Sequence, residues 1–258
     1  MRAVKSFFIA AAMYSKIPVP QFPWKEEDMK YIFCFFPWIG GLIGGCIYAW
    51  GWICGSFHIG AVCHAAVGAA IPVLLTGGIH VDGFIDTMDA LHSYGSKERK
   101  LEILKDSHIG AFAVISFAVY GLVFLGAFSE IKDVTLWKVV CGGFFLSRCL
   151  CGLSVVSFPL AKKDGMLYLF ADSSHKKIVK GSLYLQSAAC IGLLVYWSFA
   201  AGLLVSIAAG AALWYYRYRS VKEFGGVNGD TSGCFVLLCE GCVVVTAAAV
   251  QIFLADMI

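Results

Sequence analysis

From Gly181 to Tyr216 the chain runs for 36 residues without one charged side chain. As a single helix that stretch would measure roughly 54 Å, against about 30 Å of bilayer hydrocarbon. It is too long for one crossing and far too apolar for a soluble surface. Two short spans joined by a tight turn near Ser198–Gly202 satisfy both constraints, and they commit the chain to a membrane. Composition agrees, since 59% of residues are hydrophobic and only 14% are charged, outside the balance of soluble domains. The fold class is all-α: a polytopic integral membrane helix bundle of about seven transmembrane helices.

The remaining spans follow from hydropathy: Ile32–Cys54, Ile59–Ile79 bent at Pro72, Ile109–Phe128, Leu136–Leu160 and Cys234–Ala255. The small residues Gly40, Gly41, Gly44, Gly45, Gly51 and Gly55 repeat at four-residue spacing, which lets helix backbones approach closely. With the N-terminus cytoplasmic, every Lys and Arg except Lys132, Lys138 and Arg148 falls on the inner side, as the positive-inside rule requires. A single span over Gly181–Tyr216 would break that asymmetry. Residues 1–20 imitate a signal peptide, but Lys16 interrupts the apolar run and Pro18 and Pro20 follow it. An interfacial or half-inserted helix fits better. Gln21–Lys30, with Glu26, Glu27 and Asp28, reads as a polar loop with a solvated helix start. Ala161–Lys180 and Arg217–Lys222 read as basic loops. The 11 cysteines lie mostly inside apolar runs and behave as small hydrophobes, Cys239 and Cys242 included.

One polar interruption dominates. Gly77–Gly110 reads GGIHVDGFIDTMDALHSYGSKERKLEILKDSHIG, and Asp82, Asp86 and Asp89 sit at i, i+4 and i+7 on one helical face. No Lys or Arg lies between Gly77 and Ser96. Like charges at that spacing oppose helix formation, so the face calls for a cation, and carboxylate oxygens suit a hard ion, Mg²⁺ before Ca²⁺ or Zn²⁺. The bland alternative is a solvated acidic face. Ser96–Ser107 reads as a short amphipathic helix capped by Ser96, with Leu101, Ile103 and Leu104 resting on the membrane. Lys105, Asp106 and His80 are candidates for phosphate contact and proton handling.

A second polar segment, Phe224–Gly233 (FGGVNGDTSG), is rich in glycine. Gly225, Gly226 and Gly229 permit close backbone approach, Thr231 or Ser232 can cap the next helix, and Asp230 can add a carboxylate. Amides converging at a helix N-terminus make a phosphate cradle, although a glycine-rich turn between two membrane helices is by itself ordinary. On one face with the acidic helix, it suggests a site for a metal-bridged di- or polyphosphate, hence phosphoryl-type transfer. Arg148 and Glu240 stand at similar depth within their spans. They are expected to form a buried pair, since an isolated charge in hydrocarbon is costly.

Taken together, Lys16–Pro20, Gly77–Leu91 (GGxHxDGxxDTxDxL), Lys105–Phe112 (KDSxIGxF) and Gly225–Gly233 (GGxxGDxxG) resemble the cobalamin synthase family, the adenosylcobinamide-GDP ribazoletransferases, in order and spacing over essentially the whole chain. The resemblance implies a single membrane-embedded catalytic domain over residues 1–258 and a Mg²⁺-dependent enzyme of the cell membrane with its active site on the cytoplasmic face. Its implied reaction joins adenosylcobinamide-GDP to α-ribazole, or its 5′-phosphate, and releases GMP. Carried onto these motifs, Asp82, Asp86, His80 and Asp106 are expected to be catalytic, and Asp82, Asp86, Asp89 and Asp230 to hold the metal. Lys105, Ser107, Gly225, Gly226, Asn228 and Gly229 are expected to bind phosphate or substrate. A lipid bilayer, no nucleic acid, and either self-association or association with other cobalamin-assembly enzymes complete the expected partners. His108 stands where the family commonly has Arg, and Asn228 where it commonly has Thr. Two rival classes are weaker. A CDP-alcohol phosphotransferase would need Ala-Arg where Thr87-Met88 stands, and a cation transporter would place its carboxylates near the bilayer midplane.

Overall fold

A computed structural model of the chain describes residues 2–20, 22 and 24–253. Its helices in order are α1 (Arg2–Tyr14), α2 (Glu26–Met29), α3 (Ile32–Ser56), α4 (Ala61–Thr76), α5 (Ile79–His92) and α6 (Lys97–Ile103). There follow α7 (Ala111–Glu130), α8 (Val134–Ser157), α9 (Gly165–Ser173), α10 (Lys176–Trp197), α11 (Phe199–Phe224) and α12 (Gly229–Phe253). Six of them, α3, α7, α8, α10, α11 and α12, are long and apolar enough to cross a bilayer; α4 and α5 together would make a seventh. The last two residues of the span expected over Cys234–Ala255 lie outside the described residues.

The two central crossings are α8 and α12, whose apolar windows are 78% and 72% buried, whereas α7 at the rim is 17% buried. Small residues set the central spacing. A β-carbon on Gly44 of α3 would stand 2.5 Å from the Cys141 carbonyl oxygen of α8, so only glycine lets these backbones meet. The uncharged stretch from Gly181 breaks at a single residue. Ser198 is extended (φ −150°, ψ 116°), and its Oγ accepts the Ala201 amide at 3.3 Å to cap α11. Gly202, expected in the turn, is already helical and lies against Leu194 of α10.

The chain turns by 92° between α4 and α5. Two consecutive left-handed residues, Gly77 (φ 66°) and Gly78 (φ 81°), make the corner, a conformation in which glycine carries no β-carbon penalty. The N-terminal arm closes over it: the Lys16 amide donates to the Leu75 carbonyl at 2.7 Å, and the Lys16 stem lies on Gly77. The acidic helix α5 therefore leaves the line of the span and runs across the end of the bundle.

Several expectations from the sequence need correction. The basic stretch Arg217–Lys222 is the last part of α11, and α12 already begins at Gly229, so the second motif is a four-residue link followed by helix. The Ala161–Lys180 loop contains α9 and the start of α10. Asp28 is buried, with its carbonyl bonded to Ser6 Oγ at 2.6 Å and its carboxylate 3.6 Å from Lys5 Nζ. Ser96 does cap α6, but the apolar side of α6 packs with Ala90 and Phe224 in place of lipid. Lys100 is drawn inward with it, onto Glu223 of α11 at 2.5 Å.

Candidate active site

The site begins where α5 crosses the start of α12. Gly83 lies on the Asp230 backbone, and Gly233 returns the contact, its absent β-carbon 3.3 Å from the Ile79 carbonyl oxygen and 3.4 Å from the His80 α-carbon. Glycines 83 and 233, more than a hundred residues apart in sequence, thereby bring Asp82 and Asp230 to the walls of one cavity of about 170 Å³. His80, Tyr14, Phe36 and Gly229 line it too.

The start of α12 is capped by its own residues. Asn228 Oδ1 accepts the Thr231 amide at 2.8 Å, while Thr231 Oγ1 accepts the Asn228 amide at 3.0 Å, a reciprocal capping box. Asn228 is thus the cap residue, in place of Thr231 or Ser232. Ser232 Oγ donates to the Asn228 carbonyl at 2.6 Å and meets Tyr216 Oη at 3.0 Å. The glycines before it also serve the fold. Gly225 (φ 79°) ends α11, its amide bonded to the Val221 carbonyl, and the Gly226 amide bonds to Ser220. Gly226 gives way to the Pro159–Ala161 backbone, where an isolated parallel bridge pairs Leu160 with Val227. The expected amide cradle is therefore closed at Gly225, Gly226 and Asn228, whose N–H groups are bonded within the protein. Gly229 is exposed, with nothing within 4 Å of where its β-carbon would stand.

Along α5, Asp82 is exposed while Asp86 and Asp89 are half-buried. The Asp86 carboxyl is pushed up from 3.8 to about 6, by burial first and then by Asp82, Asp230 and Asp89. Asp82, Asp230 and Asp89 thus all act on Asp86 electrostatically. Among the described residues, no group of three or more His, Cys, Asp or Glu side chains stands close enough to hold a metal ion. Asp89 lies against Gly110, where any β-carbon would strike its carboxylate. The loop running from Lys105 to Gly110 thereby ends on the acidic helix. Within that loop Lys105, Asp106 and Ser107 are exposed, and Asp106 Oδ1 is engaged by His108 through the ring at 2.6 Å and the amide at 3.0 Å. These three do not line the Asp82–Asp230 cavity.

Two lysines not singled out from the sequence as site residues approach this end of the bundle. Lys162, half-buried, donates to the Leu101 carbonyl at 3.3 Å and lowers the pull of burial on Asp230 through its charge. Lys16 reaches the corner before α5 through Gly77. Their sequence signal was weak, since lysines near span ends are what any membrane chain shows.

Behind α5, Arg148 Nη1 and Glu240 Oε1 stand 2.5 Å apart, both side chains buried. They line a second cavity of about 250 Å³ together with His80. Arg148 Nε and Nη2 and His80 Nε2 are buried without a hydrogen-bond partner. His80, placed by the sequence beside solvent and phosphate, is buried and stands between the two cavities.

Fold and site together define a polytopic helical membrane protein whose carboxylates gather at one end, around a cavity with aromatic walls. Comparison with known proteins gives the family. A family description of cobalamin-5-phosphate synthase matches residues 6–248, and the chain belongs to that family. It is 41% identical to the adenosylcobinamide-GDP ribazoletransferase of Lachnoclostridium phytofermentans over 98% of each chain. It is 31% identical to the protein of that name from Clostridium perfringens, over 92% of this chain and 94% of the other. The Listeria monocytogenes protein of the same name is also 31% identical, over 89% and 92%. No solved structure matches the chain.

Proposed function

We propose that this chain transfers the adenosylcobinamide-phosphate group of adenosylcobinamide-GDP to α-ribazole or its 5′-phosphate, with release of GMP, late in cobalamin assembly. The observation that carries this reading is the meeting of Asp82 and Asp230 at one cavity across the Gly83 contact, in a chain of this family. A ribose hydroxyl of the acceptor attacks the corrinoid-side phosphorus. The new P–O bond forms as the bond to the bridging oxygen breaks, the electron pair leaves with GMP, and the hydroxyl proton passes to a carboxylate of the α5 face.

The donor set fits Mg²⁺ chemically. It consists of carboxylate oxygens alone; burial first, and then repulsion from Asp82, Asp230 and Asp89, raises Asp86, and a hard cation relieves the repulsive part. Asp82, Asp86, Asp89 and Asp230 are the residues that would hold the ion, which would supply neutralisation of pyrophosphate charge; as they stand, no three of them are close enough to share it. Lys162 and Lys16 bring positive charge to the same end of the bundle, and exposed Gly229 leaves room for a phosphate to approach the start of α12. The lysine asymmetry of the chain supports a site on the cytoplasmic face of the cell membrane.

The test is GMP release by purified protein in lipid, given adenosylcobinamide-GDP, α-ribazole and Mg²⁺. Asp82→Asn and EDTA should each abolish turnover. Activity surviving both would overturn the metal-assisted reading, and turnover of CDP-diacylglycerol would overturn the substrate.

A further inference from the structure

We infer that the groove between α7 and α11 binds one anionic phospholipid, its phosphate on Arg219 and an acyl chain lying along α12.

Shape comes first. α7 and α11 both pack on the deeply buried α12, and between them lies a cavity of about 710 Å³, larger than either cavity beside His80. Ala208, Ala211 and Ala212 of α11 leave this room, and the half-exposed Val123 of α7 and exposed edge of Val245 open it sideways. Along α12 the lining runs from Thr231 to Thr246, about 22 Å of helix. One leaflet with its headgroups is about 20–22 Å deep, so the groove is one leaflet long. A helix of that length, roughly 10–12 Å across, fills about 1,700 Å³ or more, which this space does not hold. A slimmer lipid chain enters it.

The chemistry of the walls suits an amphiphile. Most of the lining is apolar, and three of its hydroxyls are already engaged. Tyr120 Oη donates to the Leu237 carbonyl at 2.8 Å, Tyr216 Oη meets Ser232 Oγ at 3.0 Å, and Thr231 Oγ1 accepts the Asn228 amide at 3.0 Å. A guest rimmed with amides would leave many of them unpaired, each at the cost of desolvation. Among the described residues that line the groove, Arg219 alone is charged. Its Nη1 stands 3.9 Å from Glu223 Oε1, beyond hydrogen-bond reach, while Glu223 Oε2 is held by Lys100 at 2.5 Å. Two cations share one carboxylate, so positive charge is left over, and Arg219 Nε is buried without a partner.

Depth agrees with charge. Trp214 and Tyr218, exposed and stacked at 6.1 Å, mark the headgroup level on the same stretch of α11. A phosphate there takes charge-assisted bonds from the guanidinium, and basic pockets between membrane helices are where acidic headgroups settle. The chain then runs toward Ala208 and Val245 at the far end. Met88 and Leu91 also line the groove, so the lipid backs α5, the helix that carries the aspartates.

The experiment follows lipid retention by native mass spectrometry, with the full chain purified in detergent and given phosphatidylglycerol or phosphatidylcholine of the same acyl chains. Wild type should keep one phosphatidylglycerol per chain and bind it about tenfold more tightly than phosphatidylcholine. Arg219→Gln should lose that preference, while Lys222→Gln, exposed and off the lining, should keep it. Ala211→Trp, which fills the groove from α11, should lower phosphatidylglycerol retention by about tenfold or more and melt like the wild type in detergent alone. No retained lipid, equal retention of the two lipids, or equal retention of phosphatidylglycerol by wild type and Arg219→Gln would overturn the assignment. So would displacement of the lipid by one equivalent of adenosylcobinamide-GDP, which would give the groove to the donor. Each of these outcomes leaves the transfer reaction standing.

Discussion

Gly83 and Asp230 meet backbone to backbone: a β-carbon on Gly83 would stand 2.7 Å from the Asp230 carbonyl oxygen and 3.1 Å from its α-carbon. Everything at the site depends on that closeness. Gly83→Ala must part α5 from α12, at a cost of about 1–3 kcal/mol by overpacking, and it should lower turnover at least tenfold as the two acids move apart. Gly229→Ala, in open space, should melt like the wild type. Equal melting temperatures for Gly83→Ala and wild type would show that the contact does not hold the site.

The Arg148–Glu240 pair gives a second prediction. Removing one partner leaves a buried charge alone, so Arg148→Ala should cost about 3–5 kcal/mol. The double change Arg148→Ala/Glu240→Ala should cost less than the single, because no uncompensated charge remains. Melting of the three proteins in one detergent decides it, and strictly additive losses would count against coupling.

The third concerns pH. Asp86 on α5 titrates near 6 when folded and at an ordinary 3.8 when unfolded, so between those values the folded state binds more protons. Its contribution to stability therefore falls as pH rises from about 4 to 6 and stays low above that. In EDTA, the wild type should lose melting temperature over this window by more than Asp86→Asn does. Added Mg²⁺ at pH 7 should recover part of the loss in the wild type only, since a ligand of the folded state stabilises it. Parallel pH profiles for the two proteins would contradict this.

Lys162 supplies the fourth. Its charge acts on Asp230 and it is half-buried, a position from which an ammonium can meet developing phosphate charge. Lys162→Met should lower kcat/KM for adenosylcobinamide-GDP by about 100-fold, with the melting temperature within a few degrees of wild type. Lys163→Met, one residue on and exposed, serves as the control. Equal effects of the two changes would remove Lys162 from the site.

Much of this was legible in the chain. Hydropathy over about twenty residues is a strong local signal, and it located the long spans and a break near Ser198–Gly202, which the fold narrows to Ser198. The helical phase of Asp82, Asp86 and Asp89 is also local, and α5 is indeed a helix. What local pattern could not carry was the use made of the glycines. Gly83 and Gly226 are alike as letters, but one seats Asp230 and the other gives way to Pro159–Ala161. Nor could it show that Lys100 turns inward to Glu223, or that Lys105–Ser107 stays exposed off the cavity.

By itself, then, the sequence determined that this is a bundle of membrane helices with an acidic helix at one end, because span length and charge placement are settled within each segment by the bilayer. Only the tertiary structure decided which acids share a cavity, that His80 stands behind them, and that the amides of Gly225, Gly226 and Asn228 are already bonded. Those outcomes depend on contacts between helices far apart in the chain, where a single absent β-carbon sets how closely two backbones pass.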